Sequence, residues 1–268
     1  MDRVAFLMYH ELEVGQRALC NSDPGYVRYV LPATMFRAQV ERLRADGVRG
    51  ASVGDFLVKS DDGSPRVAIT FDDGCETDLV IAAPVLREAA FDATFYVTVA
   101  HLGRRGYLSK GQLRELADLG FEIGSHAMTH RYLHDLTTPE VRAELSESKQ
   151  SLEDIIGRRV AQFSCPGGRW DRRVAAAARE SGYDSLVTSA VGLNSDRTDR
   201  YRLARIAVMR TVDATEISRM ARGEGLVRRR AQTALLNAAK RVLGNSRYER
   251  LRAAALRRVD ARAEDSAV

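Results

Sequence analysis

The chain has 268 residues, 45% of them apolar and 29% charged, which suits one large domain with a short appendage and excludes a disordered or fibrous polypeptide. No window approaches the roughly 18 consecutive apolar residues that cross a bilayer, so a membrane-spanning helix is excluded. The net charge of +5 leaves nucleic acid, an anionic membrane or an acidic ligand open as partners, but the charge is unevenly placed: residues 219–262 hold thirteen Lys and Arg against three acids, a net +10, and residues 1–218 carry −3.

Taken in order, the elements alternate. Val4–Tyr9 is an apolar strand-like run. Thr34 is expected to cap a helix with Phe36, Val40 and Leu43 on one face, closed by Gly47. Asp61-Asp62-Gly63-Ser64-Pro65 reads as a turn before a buried-type strand at Val67–Phe71. A helix through Leu79–Ala90 precedes the β-rich Ala93–Val99. Ser109 caps a helix ending at Gly120, and Phe121–Ile123 opens the next strand. Pro139–Gly157 is the longest helix, with proline early and glycine at its end. Ala161–Ser164 leads to Pro166-Gly167-Gly168, then a helix through Val174–Ser181 and a strand at Tyr183–Thr188. Such alternation predicts a mainly parallel sheet with covering helices, open or closed into a barrel. Chemistry in such folds gathers beyond the C-terminal ends of the strands, where this chain places His10, Asp72-Asp73, His126 and Pro166-Gly167.

Thr70-Phe71-Asp72-Asp73-Gly74 ends a strand in two adjacent acids. Successive strand residues face opposite ways, so the natural division is one metal ligand and one general base. A pair of Asp residues capping the next helix is the plainer alternative. His126 and His130 lie four residues apart, close enough on one helical turn or a tight loop to meet one cation; two exposed histidines are the alternative. With one acid they make a set that leaves positions open for water and substrate, as catalytic zinc or iron requires. His101 and His134 have no comparable partners and read as structural or exposed. Cys20, Cys75 and Cys165 form neither a disulfide framework nor a Cys-x-x-Cys metal site. Reduced thiols, and an N-terminus with a short apolar run but no small-residue cleavage site, lead to a cytoplasmic expectation. Buried thiols explain Cys75 and Cys165 better than a thiol nucleophile does.

Thr70-Phe71-Asp72-Asp73-Gly74 and His126-x-x-x-His130-x-x-Leu133 resemble the first two motifs of the polysaccharide deacetylases, the NodB-homology carbohydrate esterases, and the order of elements fits that family from Val4 to about Asp213. The resemblance implies a distorted (β/α) barrel, an α/β fold, and metal-dependent hydrolysis of an N-acetyl group on an amino sugar. It implies Asp72 as general base, and Asp73, His126 and His130 as ligands of one divalent metal, zinc being the expected ion. The third motif departs from the family's Arg-x-Pro. Phe163-Ser164-Cys165-Pro166-Gly167-Gly168 is instead similar to the branch of biofilm poly-N-acetylglucosamine deacetylases. The arginine that usually orients the aspartate is missing, and Arg169 and Arg205 are the candidates to replace it. No histidine follows His134, and Met8-Tyr9-His10 resembles the Tyr-His of the same branch, which makes His10 the general acid. A backbone N–H near Pro166 and Gly167 is the expected oxyanion donor.

The expected division is a catalytic domain at 1–218 and a basic amphipathic helical extension at 219–268, with two helices broken near Gly244-Asn245. The extension can pack on the barrel or lie on an anionic membrane, which would place the protein at the membrane's inner face. No recognised motif supports nucleic acid. Two rival functions use the same scaffold: a metal-independent amidase acting on a small cyclic amide, and a non-catalytic carbohydrate-binding relative. The doublet and both histidines oppose the first, and the apparently complete acid–base–metal set opposes the second. The sugar, its chain length, any lipid carrier and the oligomeric state are not legible in the sequence.

Overall fold

Strand β1 (Val4–Tyr9), buried along its whole length, is the axis of a sheet that the computed structural model describes over residues 3–58 and 65–231. Short β2 (Leu12–Glu13), the single turn α1 (Pro24–Val27) and β3 (Leu31–Pro32) come next, β2 and β3 pairing as a small ladder apart from the main sheet. Then follow α2 (Ala33–Ala45), β4 (Arg49–Ala51), α3 (Val53–Val58) and β5 (Arg66–Phe71). From there α4 (Ala83–Glu88), β6 (Thr94–Val97), α5 (Lys110–Asp118), β7 (Glu122–Ser125), α6 (Thr138–Ile156), β8 (Gln162–Ser164), α7 (Arg172–Glu180) and β9 (Ser185–Val187) alternate. Strands β10 (Leu193–Asn194) and β11 (Ile206–Ala207) and helix α8 (Ala214–Ala221) complete the described elements.

The strands lie in the order β10-β1-β5-β6-β7-β8-β9, all parallel except β10, and curl into the half-barrel of an α/β fold. The two edges are joined by one short segment. Leu203 bridges to Val187 of β9, and three residues later β11 pairs with Leu7 and Met8 of β1. Backbone N–H groups of Thr188 and Val208 donate to Leu203 and Met8 across these seams, at 2.8 and 2.9 Å. The parallel strands all end at one mouth, and this closure carries Arg205 between the edges.

The core under that mouth is aromatic. Phe71 stacks on Tyr9 and on Phe95, with ring centroids 5.2 and 5.0 Å apart, and Phe36 from α2 meets Tyr9 and Phe71 edge-on. Offset stacks and edge contacts are the arrangements that ring quadrupoles favour. Ser109 and Gln112 form a reciprocal capping box on α5, and Gly157 closes α6 in the left-handed conformation.

Two expectations are corrected. Thr34 lies inside α2 and does not cap it: Glu13 and Pro32 pair in the small ladder, so the extended backbone persists to Pro32, which occupies the capping position without a side-chain bond. The helix expected from Leu79 begins as a wider π turn at Asp78–Ala82 before α4 takes over. Residues 59–64, which contain most of the expected turn, and residues 232–268, which contain most of the expected extension, lie outside the described residues. The expected division after residue 218 falls within α8. Among the described residues no helix is long and apolar enough to cross a membrane.

Replacing the fully buried Phe71 by Ala is expected to lower unfolding stability by about 3–5 kcal/mol, from lost transfer energy plus the cavity left between two rings. Chemical denaturation at constant slope measures it.

Candidate active site

β5 stops at Phe71 and the chain turns. Asp73 takes a φ of +81° and Gly74 one of +80°, the left-handed region that Asp tolerates better than most residues and Gly without cost. A Cβ on Gly74 would also lie 2.9 Å from Val97 Cγ1. The turn releases Asp72 and Asp73 from strand alternation, so both carboxylates reach the mouth. Their surroundings then divide them.

Asp72 is held by an arginine. Arg205 Nη1 and Nη2 donate to its two oxygens at 2.7 and 2.8 Å, a bidentate fork in which Arg205 is only 1% exposed. Arg205 is fixed in turn by Nε donating to the Thr188 carbonyl at 3.0 Å and Nη2 to Ser164 Oγ at 2.9 Å. Ser164 Oγ also lies 3.3 Å from Asp72 Oδ1. Burial by itself would raise the Asp72 carboxyl; the charge and hydrogen bonds of Arg205, together with His126 and His10, outweigh it, and the group is held below the ordinary carboxylate range.

Asp73 meets imidazoles. His126 follows β7 directly and His130 sits at φ +64°, so the pair is carried by a tight loop and not by a helical turn. Glu144, on the buried face of α6, accepts the backbone N–H groups of Met128 and Thr129, each at 2.9 Å, and so fixes that loop. Asp73 Oδ1 lies 3.1 Å from His130 Nε2 and 3.6 Å from His126 Nε2. Burial opposes charge on Asp73, but the close approach of His130, with the electrostatic influence of His10 and His126, holds its carboxyl far below the usual range. His126 is driven down to about 4 mainly by burial. His130 is raised, because Asp73 outweighs the burial that acts the other way.

These three side chains fit a metal ion. Their ligand atoms fall within 4.8 Å of one another. His126 Nδ1 lies 2.9 Å from the Ser164 carbonyl, which can only accept, so the proton belongs on Nδ1 and Nε2 presents its lone pair toward Asp73. Asp73 Oδ1 is buried without a hydrogen-bond partner of adequate geometry, the state expected of an oxygen placed to ligate. Two nitrogens and one carboxylate oxygen leave further positions open, as catalytic zinc requires.

His10, at the end of β1, stacks against Tyr29 with centroids 5.0 Å apart, and its buried Nδ1 has no partner. It is one of the neighbours that lower both the Asp72 and the Asp73 carboxyls. Pro166 and Gly167 form the turn after β8, Gly167 at φ +62° with the Tyr132 ring so close that a Cβ would lie 2.6 Å from it. Arg169 does not reach Asp72: its guanidinium lies 3.7 Å over the Tyr132 ring and 3.8 Å from Asp135, because the turn directs the chain toward the loop after β7. Of the two candidate arginines, Arg205 is the one on the aspartate. Sequence reasoning passed over Ser164 and Glu144. The signal for Glu144 was an acid on the same helical stripe as Val141, Leu145, Ser148 and Leu152.

A sequence profile described as polysaccharide deacetylase matches residues 59–186. YxkH of Bacillus subtilis, a protein named for the same family, is 28% identical over 210 residues, which cover 77% of this chain and 71% of that protein. The peptidoglycan-N-acetylglucosamine deacetylase of Bacillus cereus is 32% identical over 124 residues, 46% of this chain and 56% of the relative, so the chain spans little more than half of that enzyme. Among solved structures, the Streptococcus pyogenes deacetylase PplD in complex with acetate superposes with a TM-score of 0.73 at 20% identity, covering 82% of this chain and 98% of that one.

Removing the guanidinium with Arg205→Ala is expected to cost about 3–5 kcal/mol near neutral pH, because it leaves Asp72 buried and unpaired. The sign with pH follows from linkage. Asp72 has a folded pKa below its unfolded one, so its stabilisation is present above the unfolded pKa and is lost as pH falls through the folded value. In the variant the unpaired acid takes up a proton earlier on acidification. The gap between wild type and variant should therefore narrow as pH drops toward the carboxylate range, which denaturation at a series of pH values would read.

Proposed function

We propose that this chain, which belongs to the polysaccharide deacetylase family, is a metal-dependent hydrolase that removes an N-acetyl group from an amino sugar in a polysaccharide, oligosaccharide or glycolipid. One observation carries the reading: an arginine-clamped carboxylate, Asp72, stands beside the unspent ligand set Asp73, His126 and His130 at the strands' C-terminal mouth. The names of similar proteins support it, one a deacetylase of N-acetylglucosamine in peptidoglycan and one a deacetylase holding acetate, the acid that such hydrolysis releases.

Asp73, His126 and His130 would hold the divalent cation, for which zinc is our choice, and when bound it would supply Lewis-acid polarisation at the acetamide oxygen. Asp72 takes the proton from the attacking water, its lone pairs aimed by the Arg205 fork. His10 gives a proton to the leaving amine, which departs poorly as an anion. The backbone N–H of Gly167 is the donor we assign to the oxyanion that develops on the acyl carbon, since Pro166 has none and that of Gly168 donates to the Cys165 carbonyl at 2.7 Å; glycine allows close approach. Ser164 and Glu144 act through others, by fixing His126 and the loop that bears His130.

Acetate release from an N-acetylglucosamine oligomer or glycolipid tests the proposal. Asp72→Asn and His10→Ala should each lower turnover by about 10²–10⁴-fold while metal stays bound. Asp73→Asn and His126→Ala should lose the metal itself, read by elemental analysis. Protein without stoichiometric metal, active and indifferent to chelators, would defeat this mechanism and favour the metal-independent amidase. Sugar binding with no acetate release would favour the binding relative.

We also propose that the +10 net charge of residues 219–262 draws the protein to an anionic membrane surface, on the cytoplasmic side. Four of the described tail arginines are already engaged: Arg219, Arg222 and Arg229 pair with Glu216 or Glu224, and Arg230 donates to the Val191 carbonyl. The prediction therefore rests on the remaining basic residues. Vesicles containing anionic lipid should float the full chain more than a chain ending at Gly223, and equal flotation of the two would refute it.

A further inference from the structure

Outside the ligand trio, the loop after β2 brings Cys20 against Cys75, which lies two residues beyond Asp73. Their sulfur atoms are 3.6 Å apart, Cys75 fully buried and Cys20 partly exposed. The surroundings hold them there. Cys20 N–H donates to both Glu11 carboxylate oxygens at 2.9 and 3.1 Å, and the Cys20 thiol lies 3.0 Å from the Gly106 carbonyl. Gly106 has φ +89°, and a Cβ on it would stand 2.8 Å from Cys20 Sγ, so the absent side chain is what leaves room for the sulfur. Tyr26 Oη closes the other side, 3.4 Å from Cys75 Sγ and 3.2 Å from Glu11.

We propose that Cys20 and Cys75 are a modification site, a thiol pair that a hydroperoxide converts to a disulfide. Sulfurs already in contact need a small further approach to bond, and the two differ in exposure in the way a two-step oxidation uses. Cys20, the reachable thiol, breaks the O–O bond of hydrogen peroxide and becomes a sulfenic acid, releasing one water. Cys75 then attacks that sulfur, the S–S bond forms, and the hydroxyl leaves with the second thiol's proton as another water. Two thiols lose two electrons and the peroxide gains them. The bond ties the Cys20 loop to the turn that carries Asp73 and Gly74. Contact, burial and the space at Gly106 carry this site, and none of them depends on the deacetylase reading.

The test treats the full chain, with its metal, with a stoichiometric amount of hydrogen peroxide, then alkylates, denatures and maps peptides. Free thiols should fall from three to one, the survivor being Cys165. The Cys20 and Cys75 peptides should be linked and two hydrogens lighter, and dithiothreitol should restore both thiols. In Cys20→Ser no link should form and Cys75 should remain open to alkylation after unfolding. Oxidation halted at an unlinked Cys20, a bridge to Cys165, or thiols left intact by the peroxide would overturn the proposal. Release of a second metal equivalent on oxidation would overturn it too, since the pair would then be metal ligands.

Discussion

A buried carboxylate cannot stay charged without a partner, and Asp72 meets that demand chiefly through Arg205. The pair binds the site to the closure of the fold. Arg205 rides on the segment that bridges β9 to β1, so the hydrogen bonds that join the barrel's edges also place the guanidinium. A buried ion pair is weak support for stability when set against well-packed apolar side chains. Its worth here is position. Both oxygens of Asp72 are fixed, and the carboxyl is kept ionised in a place where desolvation alone would protonate it.

Ser164 extends the same network. Its hydroxyl accepts from Arg205 and faces Asp72, while its carbonyl faces His126 Nδ1. One residue at the end of β8 thus touches the carboxylate assigned to proton transfer and fixes the tautomer of an imidazole assigned to the metal. Glu144 plays the corresponding part for the loop between the histidines, from a helix on the outside of the sheet. Asp72 and His126 therefore cannot be repositioned independently. A shift of β8 relative to β5 would move both.

Much of this was legible in the chain because apolar periodicity reports burial directly. β1, β5 and α6 lie within a residue of where period and punctuation place them. The carboxylates and histidines were visible because strand ends and loops collect chemistry. Arg205 could be named only as one of two candidates: its partner is 133 residues away in sequence, and no local pattern encodes such a pairing. Arg169, nearer the third motif, is diverted by its stack on Tyr132. The Thr34 cap failed for a similar reason, since a strand pairing formed at Pro32 overrides a favourable local capping residue. His10 and Arg205 also lie outside the segment that the family profile matches, so the parts that complete the site come from the ends of the fold.

The acids around the mouth explain why one of them suits a cation. Asp72 is neutralised by Arg205. Glu11 accepts from the Cys20 backbone and from Tyr26, and burial raises its carboxyl. Asp78 is buried with both oxygens unpartnered and is driven well up, chiefly by desolvation, toward its neutral form. Asp73 alone of the four combines a firmly ionised carboxyl with an unpartnered buried oxygen and two imidazoles beside it. Coulomb attraction in a partly desolvated site is strongest for such a group. His130, whose hydrogen-bonding nitrogen lies 3.1 Å from Asp73, both lowers that carboxyl and stands among its fellow ligands, so electrostatics and ligand chemistry select the same residue.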